Sequence, residues 1–278
     1  MDKALHVGIN KYPTAPLTGC VNDSSDFADY LNTKMKFRAD DIRLLCDERA
    51  TTAAIFDRLR WLVDVTPGSR CFFHYSGHGA QYPSRNYKHE LDRLLEVICP
   101  VDFDWTPEHM ITDKQFVEIF SAIPAGVKFN WISDSCHSGD LTRNMPMSRE
   151  LAEQTPSSVV GINAGSMLPK VYPMPVDIAW RLRGAAPRTF VGTRAISHGT
   201  LDVGFVSGCK SNQTSMDAVF DGRPGGALTQ MFLRVLKQKG WGCRLSELTK
   251  LTAGALRRKG FTQVPQCEGA RAKKPFLG

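Results

Sequence analysis

The sequence predicts an α/β protein in which a mostly parallel central sheet is covered by helices on both faces. Strand-like apolar runs alternate along the chain with helix-like segments, which is the order typical of parallel sheets. The 278 residues can bury a sizeable core in one large domain or two small ones. Hydrophobic residues make up 42% and charged residues 23% of the chain, as in ordinary soluble globular proteins.

Each element of this prediction is supported by a local pattern. Strands are predicted at the apolar runs 4–9, 42–46, 70–75, 96–99 and 127–133. Helices are predicted at 22–35, 52–65 and 114–122, because apolar residues recur there every three or four positions. Any of residues 22–24 can cap the first helix, and Pro67-Gly68 ends the second.

The pattern is lost from Asp140 to about Pro187, where proline is frequent. So long a segment without regular structure is typically functional or disordered. Beyond it, the sequence predicts strands at 189–192 and 203–206 and helices at 227–238 and 245–258.

The net charge of +7 arises largely from two basic clusters near the C-terminus, Arg257-Arg258-Lys259 and Arg271–Lys274. No aromatic residues alternate with these charges to stack on bases, so we expect a solvated surface and no nucleic-acid partner.

The eight cysteines form no CxxC pair, which argues against a disulfide framework or a zinc ribbon. The sequence contains no apolar run that approaches the length of a membrane span and no signal-peptide core. We therefore expect a cytoplasmic protein without a membrane partner.

Two predicted strands end in residues that can carry nucleophilic catalysis. Strand 127–133 leads into Asp134-Ser135-Cys136-His137-Ser138-Gly139, and strand 70–75 leads into Ser76-Gly77-His78-Gly79. Binding sites of open α/β sheets lie at the carboxyl ends of strands. A neighbouring imidazole favours the reactive thiolate and can later protonate a departing amine. The pattern indicates a cysteine hydrolase, although a lone cysteine or histidine is more often a buried core residue.

The glycine beside the histidine adds a second catalytic element. Gly79 has no side chain, so its N–H can approach a substrate carbonyl. With the N–H of Cys136 it can form an oxyanion hole, in which each donor commonly contributes ~3 kcal/mol.

Five motifs, in the right order and covering nearly the whole chain, resemble those of the metacaspases. They are 19–23 (GCVND), 75–81 (YSGHGAQ), 99–103 (CPVDF), 134–139 (DSCHSG) and 207–218 (SGCKSNQTSMDA). The sequence has no Pro/Gln-rich stretch before the first motif, so it is most similar to a minimal form such as the bacterial orthocaspases.

The resemblance implies a caspase-like fold and a cysteine endopeptidase with Cys136 as nucleophile and His78 as general acid/base. It also implies that Asp23, Asp134 and Ser76 line the pocket for P1, the residue before the cleaved bond. Two carboxylates there favour Arg or Lys and repel the aspartate that caspases take. The alternatives are that Asp23 caps its helix and that Asp134 orders the turn before Cys136.

The resemblance further divides the single domain into a large-subunit-like part (1–140), a linker (141–188) and a small-subunit-like part (189–278). Self-cleavage is common in such linkers. The candidate self-cleavage positions are Arg143, Arg149, Lys170, Arg181, Arg183 and Arg188. The alternative is an ordinary surface loop.

The resemblance implies calcium as an activator. It identifies no metal site, because the acid-rich run that many metacaspases have after the histidine motif contains few acidic residues here. Glu96, Asp113 and Asp140 are the nearest candidate ligands. The resemblance also implies protein or peptide substrates with a basic P1 residue and a monomer.

Two other classes of function stay open. One is a catalytically inactive caspase-like scaffold or signalling module. The other is a metal-binding protein that uses Cys71, His74, His78 and Cys136-His137. Residues 71 and 74 are three apart in a strand, so they face opposite sides of it and suit a single metal site poorly.

Overall fold

The computed structural model describes residues 1–83, 94–136, 167–182, 202–210 and 213–278. The strands in these ranges are β1 (Lys3–Gly8), β2 (Ile42–Cys46), β3 (Arg70–Ser76), β4 (Gly79–Pro83), β5 (Leu94–Ile98), β6 (Ile111–Thr112), β7 (Lys128–Asp134), β8 (Leu168–Pro169), β9 (Val203–Ser207), β10 (Met216–Phe220), β11 (Arg223–Gly226) and β12 (Gln266–Glu268). The α-helices are α1 (Cys20–Met35), α2 (Thr52–Val63), α3 (Asp113–Phe120), α4 (Val176–Leu182), α5 (Ala227–Lys239) and α6 (Leu245–Arg258).

A six-stranded sheet organises the fold, with the strand order β12–β9–β7–β3–β1–β2. Its neighbouring strands run parallel except for the edge strand β12, which is antiparallel to β9. Two small antiparallel sheets accompany it, β11–β10–β8 and β4–β5–β6. The prediction of a mostly parallel central sheet is confirmed.

The two faces of the sheet are buried in separate hydrophobic cores, because successive side chains of a strand point to opposite faces. Phe73 and Tyr75 of β3 join the core that contains α2 and α3. Phe72 of the same strand joins the core that contains α1, α5 and α6. Helices therefore cover both faces, as predicted. No helix in the described ranges is both long and apolar enough to cross a lipid bilayer.

The long predicted elements that fall within the described residues agree with the structure to within two residues at each end. The predicted strand 189–192 lies outside the described residues. The short elements, above all the hairpin of β10 and β11, are not predicted by the sequence pattern. Strand β8 and helix α4 lie in the stretch where we expected no regular structure. A two-residue strand is fixed by its partner's backbone and leaves no periodic pattern in the sequence.

The predicted cap of the first helix is wrong. Helix α1 begins at Cys20, two residues earlier than predicted, and its N-cap Gly19 makes no side-chain cap. The backbone N–H of Cys20 instead donates to Asn10 Oδ1 at 2.8 Å, and that of Gly19 donates to Asp217 Oδ2 at 3.0 Å. Side chains from distant parts of the chain thus satisfy the helix start, which local sequence does not reveal.

Phe276 near the C-terminus is part of the core beneath α5. Its ring centroid lies 5.5 Å from that of Phe72 and 5.9 Å from that of Phe232, and its side chain is fully buried. The last residues therefore stabilise the central sheet as well as its covering helices.

We predict that Phe276→Ala lowers the free energy of unfolding by about 3–5 kcal/mol, because it removes a buried ring and leaves a cavity. Lys273→Ala is the control, since Lys273 is exposed in the same segment and should change stability by less than about 0.5 kcal/mol. Urea unfolding of both variants measures the difference. Equal losses in the two variants would contradict the packing role.

Candidate active site

The parallel pair β3 and β7 brings the histidine motif and the cysteine motif together. Ser76, the last residue of β3, lies opposite Asp134, the last residue of β7. The N–H of Gly77 then donates to the Asp134 carbonyl at 3.4 Å. His78 and Cys136 each follow two residues after this last pair, so the strand register sets their proximity.

The backbone of Lys170 crosses the site between the two motifs. Its carbonyl oxygen accepts hydrogen bonds from the N–H of Gly79 at 3.1 Å and from the N–H of Cys136 at 3.2 Å. These are the two N–H groups predicted for the oxyanion hole. A Cβ at residue 79 would lie 2.0 Å from the Cys136 carbonyl oxygen, so only glycine allows this approach.

The His78 ring is held by a backbone carbonyl that the sequence analysis missed. His78 Nε2 lies 2.6 Å from Ala15 O, so Nε2 carries the proton and Nδ1 carries the lone pair. Ala15 has φ +56°, a left-handed conformation uncommon for alanine. Burial lowers the pKa of His78 to about 4. The carbonyls of Ala15 and Lys170 raise this pKa, but they offset the effect of burial only in part. The ring is therefore neutral and can accept a proton at Nδ1.

Cys136 is buried, and its thiol is enclosed by Ser215 and Cys209. Ser215 N donates to Cys136 Sγ at 2.9 Å, and Sγ lies 3.2 Å from the Ser215 carbonyl oxygen. Burial raises the pKa of Cys136 well above its usual value, and a hydrogen bond with the Cys209 thiol adds to this increase. The nucleophile candidate is thus a neutral thiol in this state of the chain.

The Lys170 side chain is fully buried in the predicted acidic pocket. Its Nζ donates to Ser76 Oγ at 2.8 Å and lies 3.3 Å from Asp134 Oδ1 and 3.5 Å from Asp23 Oδ2. The three acceptors match the three hydrogens of an ammonium group. The carboxylates of Asp134 and Asp23 raise the pKa of Lys170, although its burial alone would lower it.

Asp23 reaches the pocket from the first turn of α1. It accepts hydrogen bonds from Ser76 Oγ at 2.7 Å, Gly226 N at 2.8 Å and Gln230 Nε2 at 3.0 Å. These partners come from other elements, so Asp23 does not serve as the cap of its own helix. Burial raises the pKa of Asp23 to about 7, although Lys170 lowers it.

Asp134 faces Asp23 across the pocket. Its Oδ1 accepts from Ser215 Oγ at 2.7 Å, and its Oδ2 accepts from the N–H and the hydroxyl of Thr229 at 2.9 and 2.8 Å. The carboxylate thus points away from the turn that follows it. Both acids that the resemblance implies for the pocket therefore line one cavity, together with Ser76.

Gly226 forms the wall of the pocket beside the ammonium group. A Cβ there would lie 2.2 Å from Asp134 Oδ2, 2.3 Å from Lys170 Nζ and 2.6 Å from Asp23 Oδ2. Any side chain at residue 226 would therefore occupy the space that the lysine ammonium fills.

The chain runs through the site as an extended strand. Before Lys170, β8 pairs with β10, with Leu168 opposite Asp217. The N–H of Lys170 donates to Ser215 O at 3.0 Å, and the N–H of Tyr172 donates to Gly79 O at 3.0 Å. Backbone hydrogen bonds thus hold the residues on both sides of the Lys170–Val171 peptide bond.

Of the other candidate self-cleavage positions, Arg181 lies on α4 within the described residues. Arg143, Arg149, Arg183 and Arg188 lie outside the described residues.

The residues that the structure describes contain no group of three or more His, Cys, Asp or Glu side chains that could hold a metal. Burial raises the pKa of Glu96 well above its usual value, which suits a calcium ligand poorly, and Asp140 lies outside the described residues. Cys71 and His74 lie on opposite faces of β3, as predicted. The described residues thus contain no such cluster for either metal site, and calcium activation stays a prediction.

The fold is similar to solved structures of low sequence identity. Protein GSU0716 from Geobacter sulfurreducens superimposes with a TM-score of 0.66 at 22% identity, covering 99% of this chain and 98% of that protein. Caspase-1 from Spodoptera frugiperda superimposes with a TM-score of 0.60 at 12% identity, covering 100% and 89%. The expectation of a caspase-like fold is confirmed.

Sequence comparison gives the family. Metacaspase-1 of Coccidioides immitis is 34% identical over 256 residues, which cover 85% of this chain but only 54% of that relative. Metacaspase-9 of Arabidopsis thaliana is 30% identical over 318 aligned positions, which cover 99% and 96%. The chain thus spans about half the length of the fungal relative and nearly all of the plant one.

The family model described as "Metacaspase, peptidase C14 domain" matches residues 2–144. That range includes the residues to which the resemblance gives catalytic roles, His78 and Cys136. The chain belongs to the metacaspase family of C14 cysteine peptidases.

Proposed function

We propose that this chain is a cysteine endopeptidase that cleaves protein substrates after a basic residue and that it first cleaves itself after Lys170. One observation carries the proposal. The Lys170 ammonium lies between Asp23 and Asp134, while the Lys170 carbonyl oxygen accepts hydrogen bonds from Gly79 and Cys136. A substrate about to be cleaved needs both contacts.

These positions support the following reaction. Cys136 Sγ attacks the Lys170 carbonyl carbon, and the thiol proton passes to His78 Nδ1. The negative charge that develops on the carbonyl oxygen is stabilised by the N–H groups of Gly79 and Cys136. The C–N bond to Val171 then breaks, and the His78 proton moves to the departing Val171 nitrogen. Water hydrolyses the remaining thioester and regenerates the thiol.

Burial sets the protonation state from which this reaction starts. Burial raises the pKa of Cys136 and lowers the pKa of His78, so the reaction starts from a neutral thiol and a neutral imidazole. Proton transfer then accompanies attack and needs no preformed ion pair. The carbonyl of Ala15 stabilises the imidazolium that forms, because it accepts the Nε2 hydrogen.

The pocket supports a preference for a cation at P1. A neutral or acidic side chain would leave the buried carboxylates of Asp23 and Asp134 without an opposite charge, which is strongly unfavourable. In this chain Lys170 supplies that charge. A substrate protein has to replace the 167–172 segment, and strand pairing with β10 offers it the same backbone contacts.

Self-cleavage is the first test. We expect the purified protein to split into residues 1–170 and 171–278, and Lys170→Arg to keep this cleavage. Lys170→Gln should slow it by about 100-fold or more, because the pocket carboxylates lose their counter-charge. Intact-mass spectrometry over time identifies the bond and gives the rate.

Cys136→Ala is the matched control and should stay intact. Unchanged cleavage of Lys170→Gln at the same bond would contradict the pocket assignment. If the wild type cleaves neither itself nor Lys or Arg amides, and a thiol reagent does not label Cys136, the protein is an inactive scaffold.

Gly226→Ala tests the shape of the pocket without changing its charge. Because the added methyl would occupy the position of the ammonium, we expect self-cleavage to slow by at least about tenfold. Gly242→Ala is the control, since a Cβ there meets no atom within 4 Å. Equal rates for the two variants would show that residue 226 does not bound the pocket.

The P1 preference should depend on pH through Asp23. Burial raises the pKa of Asp23 to about 7 with an ammonium in the pocket. Below this pH Asp23 takes up a proton, and the pocket loses a negative charge that attracts the cation. We expect KM for a fluorogenic Lys amide, measured on the self-processed protein, to rise about tenfold from pH 8 to pH 6.

Asp23→Asn, processed in trans by a trace of wild type, should give a high KM that no longer changes in this range. A wild-type KM that falls or stays constant as the pH is lowered would refute the titration of Asp23.

A further inference from the structure

The segment after Lys170 carries one buried side chain. From Val171 to Ile178, all of which the structure describes, only Tyr172 is buried, with 6% of its surface exposed. Its neighbour Pro173 is exposed. If the Lys170–Val171 bond is the one cleaved, Tyr172 is P2′, the second residue after the cleaved bond.

The Tyr172 ring is enclosed by aromatic rings. Its centroid lies 5.0 Å from that of Phe103, 5.7 Å from Tyr12, 5.6 Å from the His78 ring and 6.4 Å from Trp105. All four contacts are edge-to-face, the arrangement that the charge distribution of aromatic rings favours. We call Tyr12, Phe103 and Trp105 the aromatic box.

The box is held by contacts that do not involve Tyr172. The hydroxyl of Tyr12 lies 3.1 Å from that of Tyr75, donates to Cys99 O at 2.9 Å, and accepts from His78 N at 3.0 Å. The rings of Phe103 and Trp105 lie 5.0 Å apart. The hydrogen bond from His78 N fixes Tyr12 relative to the backbone of His78, and Phe103 and Trp105 pack against each other.

Backbone pairing fixes the distance between the cleaved bond and the box. Gly79 N donates to Lys170 O, and Gly79 O accepts from Tyr172 N at 3.0 Å. Gly79 and Val171 thereby form a parallel bridge. The residue that contributes to the oxyanion hole thus also positions the second residue after the cleaved bond.

Trp105 offers the box a further polar contact. Its Nε1 is buried and has no hydrogen-bond partner in the described part of the chain. The Tyr172 hydroxyl, in contrast, lies close to the side chain of Thr14. The box therefore accepts a ring that carries a polar group at its tip. The N–H of Trp105 is available as a hydrogen-bond donor to a larger or hydroxylated ring.

We propose that the aromatic box is an S2′ subsite that selects tyrosine or phenylalanine at the second position after the cleaved bond, both in this chain and in its protein substrates. The inference rests on the proposed function, because it takes Lys170–Val171 as the bond that is cleaved. It adds a second specificity requirement on the side of the bond opposite the basic residue.

Quenched peptides test the subsite on the self-processed protein. The parent peptide carries residues 167–174 (MLPKVYPM) between a fluorophore and a quencher, and two derivatives carry Phe or Ala in place of the residue equivalent to Tyr172. We expect kcat/KM for Tyr and Phe to agree within about threefold and that for Ala to be at least about tenfold lower. Equal values for Tyr and Ala would overturn the subsite.

An enzyme variant assigns the selection to the box. Phe103→Leu should bring the Tyr-to-Ala ratio of kcat/KM close to one. Phe120→Leu, which changes a buried ring of the same core that does not contact Tyr172, should keep the wild-type ratio. A wild-type ratio in Phe103→Leu would overturn the assignment, and the ratio is insensitive to a loss of folded protein.

Docking can also be measured without turnover, which separates this inference from the proposed function. In the Cys136→Ala background, Tyr172→Ala should increase amide hydrogen exchange across residues 167–174, and Tyr172→Phe should not. If no peptide is cleaved after lysine, the proposed function fails. The exchange experiment then still shows whether the aromatic box binds the Tyr172 ring. Equal protection in the two variants would overturn the inference.

Discussion

The buried ion pair between Lys170 and the carboxylates of Asp23 and Asp134 is the interaction on which the arrangement of the site depends. A lone buried ammonium is very costly, and so are two carboxylates that face each other without a cation. The opposite charges offset this cost only because hydroxyl and amide groups donate hydrogen bonds to the remaining carboxylate lone pairs. The hydroxyl groups of Ser76 and Thr229 are two of these donors. The site is therefore built around the cation that Lys170 supplies.

The central sheet explains why so few residues are needed to build the rest of the site around this ion pair. Adjacent parallel strands end at the same edge of the sheet, so the turns after β3 and β7 place His78 and Cys136 at one edge. The same turns supply both N–H groups that bind the Lys170 carbonyl. Helix α1 and the start of α5 complete the pocket through Asp23 and Thr229. The residues proposed for catalysis and those proposed for specificity thus lie at one edge of the sheet.

The sequence predicted the long elements and both motif-bearing turns, because periodic burial and glycine-framed strand ends leave a local pattern. It also named Lys170, but only as one of six basic residues, since nothing local distinguishes a lysine that docks from one that does not. The Ala15 contact could not be predicted, because a backbone carbonyl is independent of residue type. The roles of Ser215 and Gly226 depend on strands of four or five residues whose pairing only the fold determines.

The anchoring of the segment on both sides of the Lys170–Val171 bond bears on the reversibility of the reaction. If the bond is cut, Tyr172 and the Gly79 backbone still hold the new amino group next to the thioester carbon. Re-formation of the peptide bond then competes with hydrolysis, because the amine is present at a high effective concentration. The cut becomes permanent only when the tyrosine leaves its ring of aromatic neighbours. Release of one side chain, rather than bond breaking itself, would then commit the protein to its processed form.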